Sequence, residues 1–444
     1  MVKQWEAYEI SLTTSNSYTN EQKYQDVTLE ATFTGPDGSS YTVPGFWDGV
    51  DTWKIRFTPT VEGSWNYTIS SSDSQLDSSG NDGGFTAGSV SASDKSENQN
   101  YRGFLKVSTD QRHFTYDDGT PFFWMGETLW DGSSLQMAFD DTEFKFLIDD
   151  RKSKGFTAIQ IAVAPPRAFR EGPDSTDPLK PGWNEGGFVF NELFSEINPE
   201  YFKWLDKRIE YIVQAGMVPV IFGQWGWGVR EMADAPSGTG IERLKKYWRY
   251  IIARYQAYNV VWVVSGEYRF GFVDRIRLLG EYIHETDGME HLTTIHPGPP
   301  STGKLSSSLD YHDAEWLDFN MNHTWEYDER SALLADYDKS PTKPIVNAEA
   351  GYLGLKDHGR ARVRREAWTV FTSGGAGYTY GALGIYHWND GCCDIRNGDT
   401  VPRWYDVYDL PSSYDMKHLV KFFSEFDWEK MSPRDDLVSK GYAL

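Results

Sequence analysis

Asn259-Val-Val-Trp-Val-Val-Ser-Gly-Glu267 is a run of strand-forming residues that stops on a carboxylate. Lys343-Pro-Ile-Val-Asn-Ala-Glu349 repeats the arrangement further along the chain. Short apolar runs of this kind read as buried strands. A carboxylate closing such a strand gains meaning in a β/α barrel, whose active site is built from side chains at the C-terminal ends of several strands. Whether these runs belong to such a barrel depends on what surrounds them.

Around both runs, strands and helices alternate. Strand-like stretches cover 121–127, 156–163, 217–223, 259–265, 291–296, 316–321, 343–348 and 376–386. Helical periodicity falls between them, over 141–154, 199–215, 240–257, 272–286, 328–337 and 359–373, with a last helix over 414–425. In the first of these, Phe144, Leu147, Ile148 and Arg151 share one face, and Gly155 supplies a C-cap. Eight alternating units predict an α/β fold, a closed (β/α)8 TIM barrel spanning 101–444. An open doubly wound sheet would want a glycine-rich phosphate loop after its first strand, and Met125-Gly-Glu-Thr-Leu-Trp130 is not one.

Ahead of the barrel the period changes. Val27-Thr-Leu-Glu-Ala-Thr-Phe33, Trp53-Lys-Ile-Arg-Phe-Thr58 and Ser64-Trp-Asn-Tyr-Thr-Ile69 alternate apolar with polar, and Gly35-Pro-Asp-Gly38 makes a turn. Residues 1–88 therefore read as an N-terminal β-sandwich domain. The polar, periodless stretch 89–100 reads as a linker. A hairpin from Gly103–Val107 to Phe114–Tyr116, with Asp117-Asp-Gly-Thr120 as a turn, leads into the first barrel strand. Trp47, Trp53 and Trp65 are expected in the packing of the sandwich or between domains rather than on a binding platform.

Composition narrows the partners. A formal net charge of −22 argues against nucleic acid and against anionic membranes, both of which need a basic surface. Neutral ligands stay open. The 18 Trp, 26 Tyr and 25 Phe are more than packing needs, and some fall where loops belong, as in Gln224-Trp-Gly-Trp227 and Tyr386-His-Trp-Asn389. Aromatic faces beside polar groups suit sugar rings. Cys392 and Cys393 are adjacent, so no disulfide framework marks a compartment. No run is long and apolar enough to span a membrane. Met1-Val-Lys-Gln4 carries no signal segment, which leaves a cytoplasmic protein or, if a signal was removed, a secreted or periplasmic one. Oligomeric state stays open.

The barrel's upper face would collect the strand-end residues. These are Glu127 and Trp130 from strand one, Gln160 and Arg167 from strand two, and Gln224, Trp225 and Trp227 from strand three. Strand four gives Glu267 and Tyr268, strand five His296, strand six Asn322 and His323, strand seven Glu349, and strand eight His387 and Trp388. Acids, amides, imidazoles and indoles without a Ser–His–Asp or Cys–His set fit a neutral polyhydroxylated ligand. His296, His323 and His387 are the histidines that could hold a metal, which needs three or four converging ligands. Metal-dependent barrel hydrolases usually carry an H-x-H pair on the strand that here holds Glu127. No metal and no cofactor is expected. The loop from Glu171 to Gly187 is either a solvated insertion or a wall of the cleft.

These residues resemble the apiosidase-like glycoside hydrolases, glycoside hydrolase family 140 and its relatives, with the small β-sandwich that often precedes them. The resemblance lies in Gly119-Thr-Pro-Phe-Phe-Trp-Met-Gly-Glu-Thr-Leu-Trp130, Lys154-Gly-Phe-Thr-Ala-Ile-Gln160 and Pro199-Glu-Tyr-Phe-Lys-Trp-Leu-Asp206. It continues through Asn259–Arg269, Lys343–Glu349 and Phe422-Phe-Ser-Glu-Phe-Asp-Trp428. It implies an acid/base ending strand four, Glu267, and a nucleophile ending strand seven, Glu349. Relatives commonly have Asp after Gly-Gly where Glu267 follows Ser-Gly, and Gly-Asp-Thr where this chain has Gly-Glu-Thr. Many also carry a C-terminal β-domain, for which no counterpart is expected here. The expected activity is retaining hydrolysis of an O-glycosidic bond in an oligo- or polysaccharide, its sugar unspecified. Alternatives are an inverting glycosidase, a glycan-binding or adhesion protein on a barrel scaffold, or a metal-dependent hydrolase.

Overall fold

The computed structural model describes residues 2–437 apart from 78, 175–179, 193, 227, 230–238, 269–271, 326, 357, 390–394 and 397–398. Cys392 and Cys393 lie outside the described residues, as does part of the loop after strand two.

The barrel is a TIM barrel. Its strands are one, Trp124–Leu129; two, Ala158–Ala162; three, Val218–Phe222; four, Val261–Val263; five, Thr293–Thr294; six, Asn320–His323; seven, Ile345–Glu349; and eight, Gly377–Tyr380. All pair in parallel, in the order five-four-three-two-one-eight-seven-six. Every residue of these strands is buried, as in a parallel sheet covered on both faces.

Closure between strands five and six needs no ladder. Asp318 donates its amide to the Thr293 carbonyl at 2.9 Å and accepts the Thr293 amide on its carboxylate at 2.7 Å. The Thr294 hydroxyl donates to the Phe319 carbonyl at 2.8 Å. Side chains fill the interior: the Trp124 indole lies against Gly377, where a Cβ would stand 2.6 Å from that of Trp124. The helices follow from capping as much as from periodicity. Pro199–Gln214, for instance, opens on Asn198, whose side chain accepts the Glu200 amide, with Pro199 in the first turn, where its missing N–H is not needed.

The N-terminal domain is a β-sandwich. One sheet has Tyr8–Thr13, Thr52–Phe57 and Phe46–Gly49; the other has Ser40–Pro44, Leu29–Thr34, Gly63–Ser71 and Gly83–Ala87. Phe33 stacks on Phe57 across the sheets at 4.0 Å. Trp47, Trp53 and Trp65 are all buried, in packing as expected. Within 89–100, Ala92–Glu97 forms a short helix, because Ser91 and Asp94 make a capping box. Ahead of the barrel, Leu105–Val107, Phe114–Tyr116 and Pro121–Phe122 form a small antiparallel sheet.

The sandwich docks on the barrel's flank, against Pro199–Gln214 and the helix Thr239–Tyr255. Arg254 donates to Asp206 at 2.7 Å and to Asp48 of the sandwich at 2.7 Å, and Arg56 of the sandwich donates to Asp206 at 2.8 Å. Burial opposes ionisation of Asp206, but the two guanidiniums outweigh it and hold its carboxyl down to about 2. No helix among the described residues is long and apolar enough to cross a membrane.

Candidate active site

Glu349 ends strand seven, and a register irregularity opposite it sets the geometry. Asn322 pairs with Asn347, but His323 pairs with Glu349, so one extra residue on strand seven brings the carboxylate level with the imidazole. His323 Nε2 stands 3.6 Å from Glu349 Oε1, and His296 Nε2 from strand five stands 3.2 Å from Oε2. The His296 contact lies off the line of a good hydrogen bond. Trp325 donates its indole N–H to Oε1 at 3.1 Å, and the Tyr352 hydroxyl also hydrogen-bonds the carboxylate.

These neighbours decide the charge. Burial pushes the Glu349 carboxyl upward, yet His323, His296 and Tyr352 bring it down to about 2. Burial lowers His323 to about 4, against the pull of Glu349. At neutral pH His323 is therefore an uncharged imidazole, and the carboxylate is held by dipoles and donated hydrogen bonds. Glu349 is a buried, ionised carboxylate.

Glu267 follows strand four on a backbone with φ of 36°, a left-handed conformation that residues other than glycine rarely adopt. It is half-buried. Its segment is clamped between the ends of strands three and five: Gly266 donates to Gln224 O, Gly226 to Gly266 O, and His296 to Ser265 O. Glycines are required at this crossing. A Cβ on Gly266 would stand 2.3 Å from the Trp225 ring, and one on Gly226 would stand 2.5 Å from Glu267 O.

Trp130, Trp225 and Phe222 form an aromatic wall beside His296. Trp130 sits edge-on to Phe222 at 4.7 Å and to Trp225 at 5.0 Å, and its indole N–H donates to Tyr352. Gln224 is buried with neither side-chain polar atom hydrogen-bonded, and the same holds for both ring nitrogens of His296, for His323 Nε2 and for Glu349 Oε2. Buried polar atoms are nearly always satisfied. So many unsatisfied together at the strand ends mark a place for a ligand rich in hydroxyls.

Other predicted residues are not brought to this cluster. Glu127 is fully buried on the opposite side of strand one, ion-paired with Arg151 of the helix Phe144–Ser153. Gln160 points into the barrel, donating to Ala348 O at 3.0 Å and accepting from Thr379. Tyr268 donates to Asp310 at 2.9 Å, and Asn322 to Asp336 at 3.3 Å, both in the strand–helix layer. Trp388 stacks on Trp404 at 4.4 Å and donates to Glu143. His387 is at the rim with Asp131, 3.1 Å away, and Arg167 is half-buried in the turn after strand two. Trp227 lies outside the described residues.

Trp325 and Tyr352 escaped sequence reasoning. Each is an aromatic two or three residues beyond a strand-end residue, His323 or Glu349, which is the signal that would have found them. The metal expectation also changes. Instead of His387, Glu349 joins His296 and His323, with ligand atoms all within 4.8 Å of one another, and these three could hold a metal ion.

Comparison with known proteins places this geometry. The family described as "Apiosidase-like, catalytic domain" matches residues 108–430, and a "Domain of unknown function (DUF5060)" matches residues 1–72. No curated protein matches. Among solved structures, a Bacteroides vulgatus protein thought to be a glycoside hydrolase is 22% identical, covering 96% of this chain and 79% of its own, with a TM-score of 0.70. A glycoside hydrolase family 5 protein of the same organism is also 22% identical, covering 77% and 76%, with a TM-score of 0.64. A family 5 mannosidase from Rhizomucor miehei is 14% identical, covering 72% and 98%, at 0.53. At these identities the likeness is one of fold.

Proposed function

Since this chain belongs to the apiosidase-like family of catalytic domains, and so is a glycoside hydrolase, we propose that it cleaves O-glycosidic bonds by a retaining double displacement. Glu349 attacks the anomeric carbon while Glu267 gives a proton to the departing oxygen. The carbon–oxygen bond breaks and a glycosyl–Glu349 ester forms. Glu267 then takes a proton from water, which attacks the same carbon and releases Glu349 as carboxylate. The substrate is an oligo- or polysaccharide.

The observation that carries this reading is the state of Glu349. A nucleophile must be ionised, and this carboxyl is held far below its ordinary value in a buried setting. Trp325 and Tyr352 orient it. Glu267, half-buried just beyond strand four, suits a group that must hold a proton and then give it up. Retention requires the two carboxyls about 5–5.5 Å apart, and inversion roughly 6.5–9.5 Å.

The test is a screen of plant, algal and bacterial glycans for released sugar, followed by Glu349→Gln. The variant should lose turnover and still bind its glycan, and the anomer released by the parent protein, read by NMR, should match that of the substrate. Substantial turnover by Glu349→Gln, or an inverted anomer, would overturn the assignment. One observation favours a second reading. His296, His323 and Glu349 have the donor types of a zinc site that keeps an open position. A metal-dependent hydrolase would lose activity on dialysis against a chelator and regain it with zinc.

A further inference from the structure

Behind strand seven lies a second pair of acids that the reaction above does not use. Glu366, on the helix Arg360–Thr372, is fully buried, and Glu329, at the start of the helix Glu329–Tyr337, is buried beside it. Their carboxyls hydrogen-bond one another. Burial and the neighbouring Glu329 both favour the protonated form of Glu366. Glu366 is also a junction. Its Oε2 accepts the Gly351 amide at 3.1 Å, and its Oε1 accepts Arg362 Nε at 2.7 Å. Arg362 in turn donates to the Trp325 carbonyl at 2.7 Å.

Both branches end on Glu349. Gly351 and Tyr352 follow it in the chain, and Tyr352 carries a hydroxyl that bonds it. Trp325 carries the indole that bonds it, on a backbone with φ of 39° that the Arg362 contact secures. We propose that Glu366 is a positioning residue that fixes both donors of the nucleophile, through Gly351 on one side and through Arg362 on the other. This rests on the assignment of Glu349 above. Glu366 does not touch substrate.

The proton on Glu366 makes the device sensitive to alkali. Burial, opposed by Arg362 and reinforced by Glu329, pushes Glu366 up to about 8. The other groups facing it are Tyr378 of strand eight and His358 across Gly351. Loss of the proton leaves two carboxylates in repulsion, and Arg362 is drawn off the Trp325 carbonyl.

The test uses the full chain and an activated probe, the 2,4-dinitrophenyl 2-deoxy-2-fluoro glycoside of the sugar released in the screen. Its leaving group needs no proton, so the rate at which Glu349 is trapped reports the nucleophile side alone. Trapping by the parent protein should fall above about pH 8, following the proton on Glu366. Glu366→Gln, which mimics the protonated acid, should show no such fall up to pH 10. Glu366→Leu should trap roughly tenfold or more slowly at every pH, as expected when donors to a charged group are misplaced. An alkaline fall in Glu366→Gln identical to the parent's would overturn the proposal, as would parental trapping rates in a folded Glu366→Leu. Label on a carboxylate other than Glu349 in the parent would instead remove the nucleophile assignment, and the proposal with it.

Discussion

Trp325 decides more than its place in the chain suggests. Its indole N–H is one of two donated hydrogen bonds that stabilise the Glu349 carboxylate. Trp325→Phe keeps the ring and removes the donor. A hydrogen bond to a charged group contributes about 1.5–3 kcal/mol, so kcat should fall roughly tenfold to a hundredfold. The pH profile should move as well. As the proposed nucleophile Glu349 acts as the anion, and its low pKa places the acid limb of kcat/KM below neutrality, shared with His323. Weaker stabilisation of the anion raises its pKa, so the limb should shift toward higher pH in the variant. A slower enzyme with an unmoved limb would mean that the indole acts on substrate rather than on Glu349.

At the scale of elements, the strand–helix alternation was legible because strands buried on both faces leave an unmistakable pattern. Each helix lies within a few residues of where its periodicity puts it. What could not be read was which way a strand-end side chain points. In the sequence Glu127, Tyr268 and Trp388 close or follow strand-like runs just as Glu349 does, yet Glu127 falls inside strand one and each turns into the layer between sheet and helices. A residue's parity along the strand chooses the layer, and a one-residue irregularity such as that opposite His323 reverses it without a mark in the sequence. Glu127 supplies a prediction at this scale. Breaking a buried ion pair costs about 3–5 kcal/mol, and Arg151 keeps Asp150, so Glu127→Gln should lose stability near the low end, about 3 kcal/mol. Its urea midpoint should drop while KM holds. A large rise in KM at unchanged stability would return Glu127 to the substrate.

For the whole molecule, the joint between sandwich and barrel is ionic and buried, and it has a defined acid limit. The Asp206 carboxyl lies below its ordinary 3.8, at about 2, because Arg254 and Arg56 favour its anion. A depressed carboxyl contributes stability above its unfolded pKa and loses it as pH falls through the folded one. The melting temperature should therefore drop between about pH 4 and pH 2 as this contribution vanishes. Asp206→Asn should melt lower at neutral pH and change less across that window. A parental fall in melting temperature that the variant reproduces in full would place the acid sensitivity elsewhere.

The joint between strands five and six has a consequence of another kind. A sheet whose two ends meet without a ladder is a curled ribbon pinned at its edges, here by Asp318 and the Thr294 hydroxyl. Such a ribbon breathes by unpinning, which breaks a few bonds rather than a row of them. His296 follows one edge strand and His323 ends the other, so the line that lacks a ladder runs between the two imidazoles that flank Glu349. Amide exchange at the two edges would be the record of that motion, and the Glu349 carboxylate would feel it first.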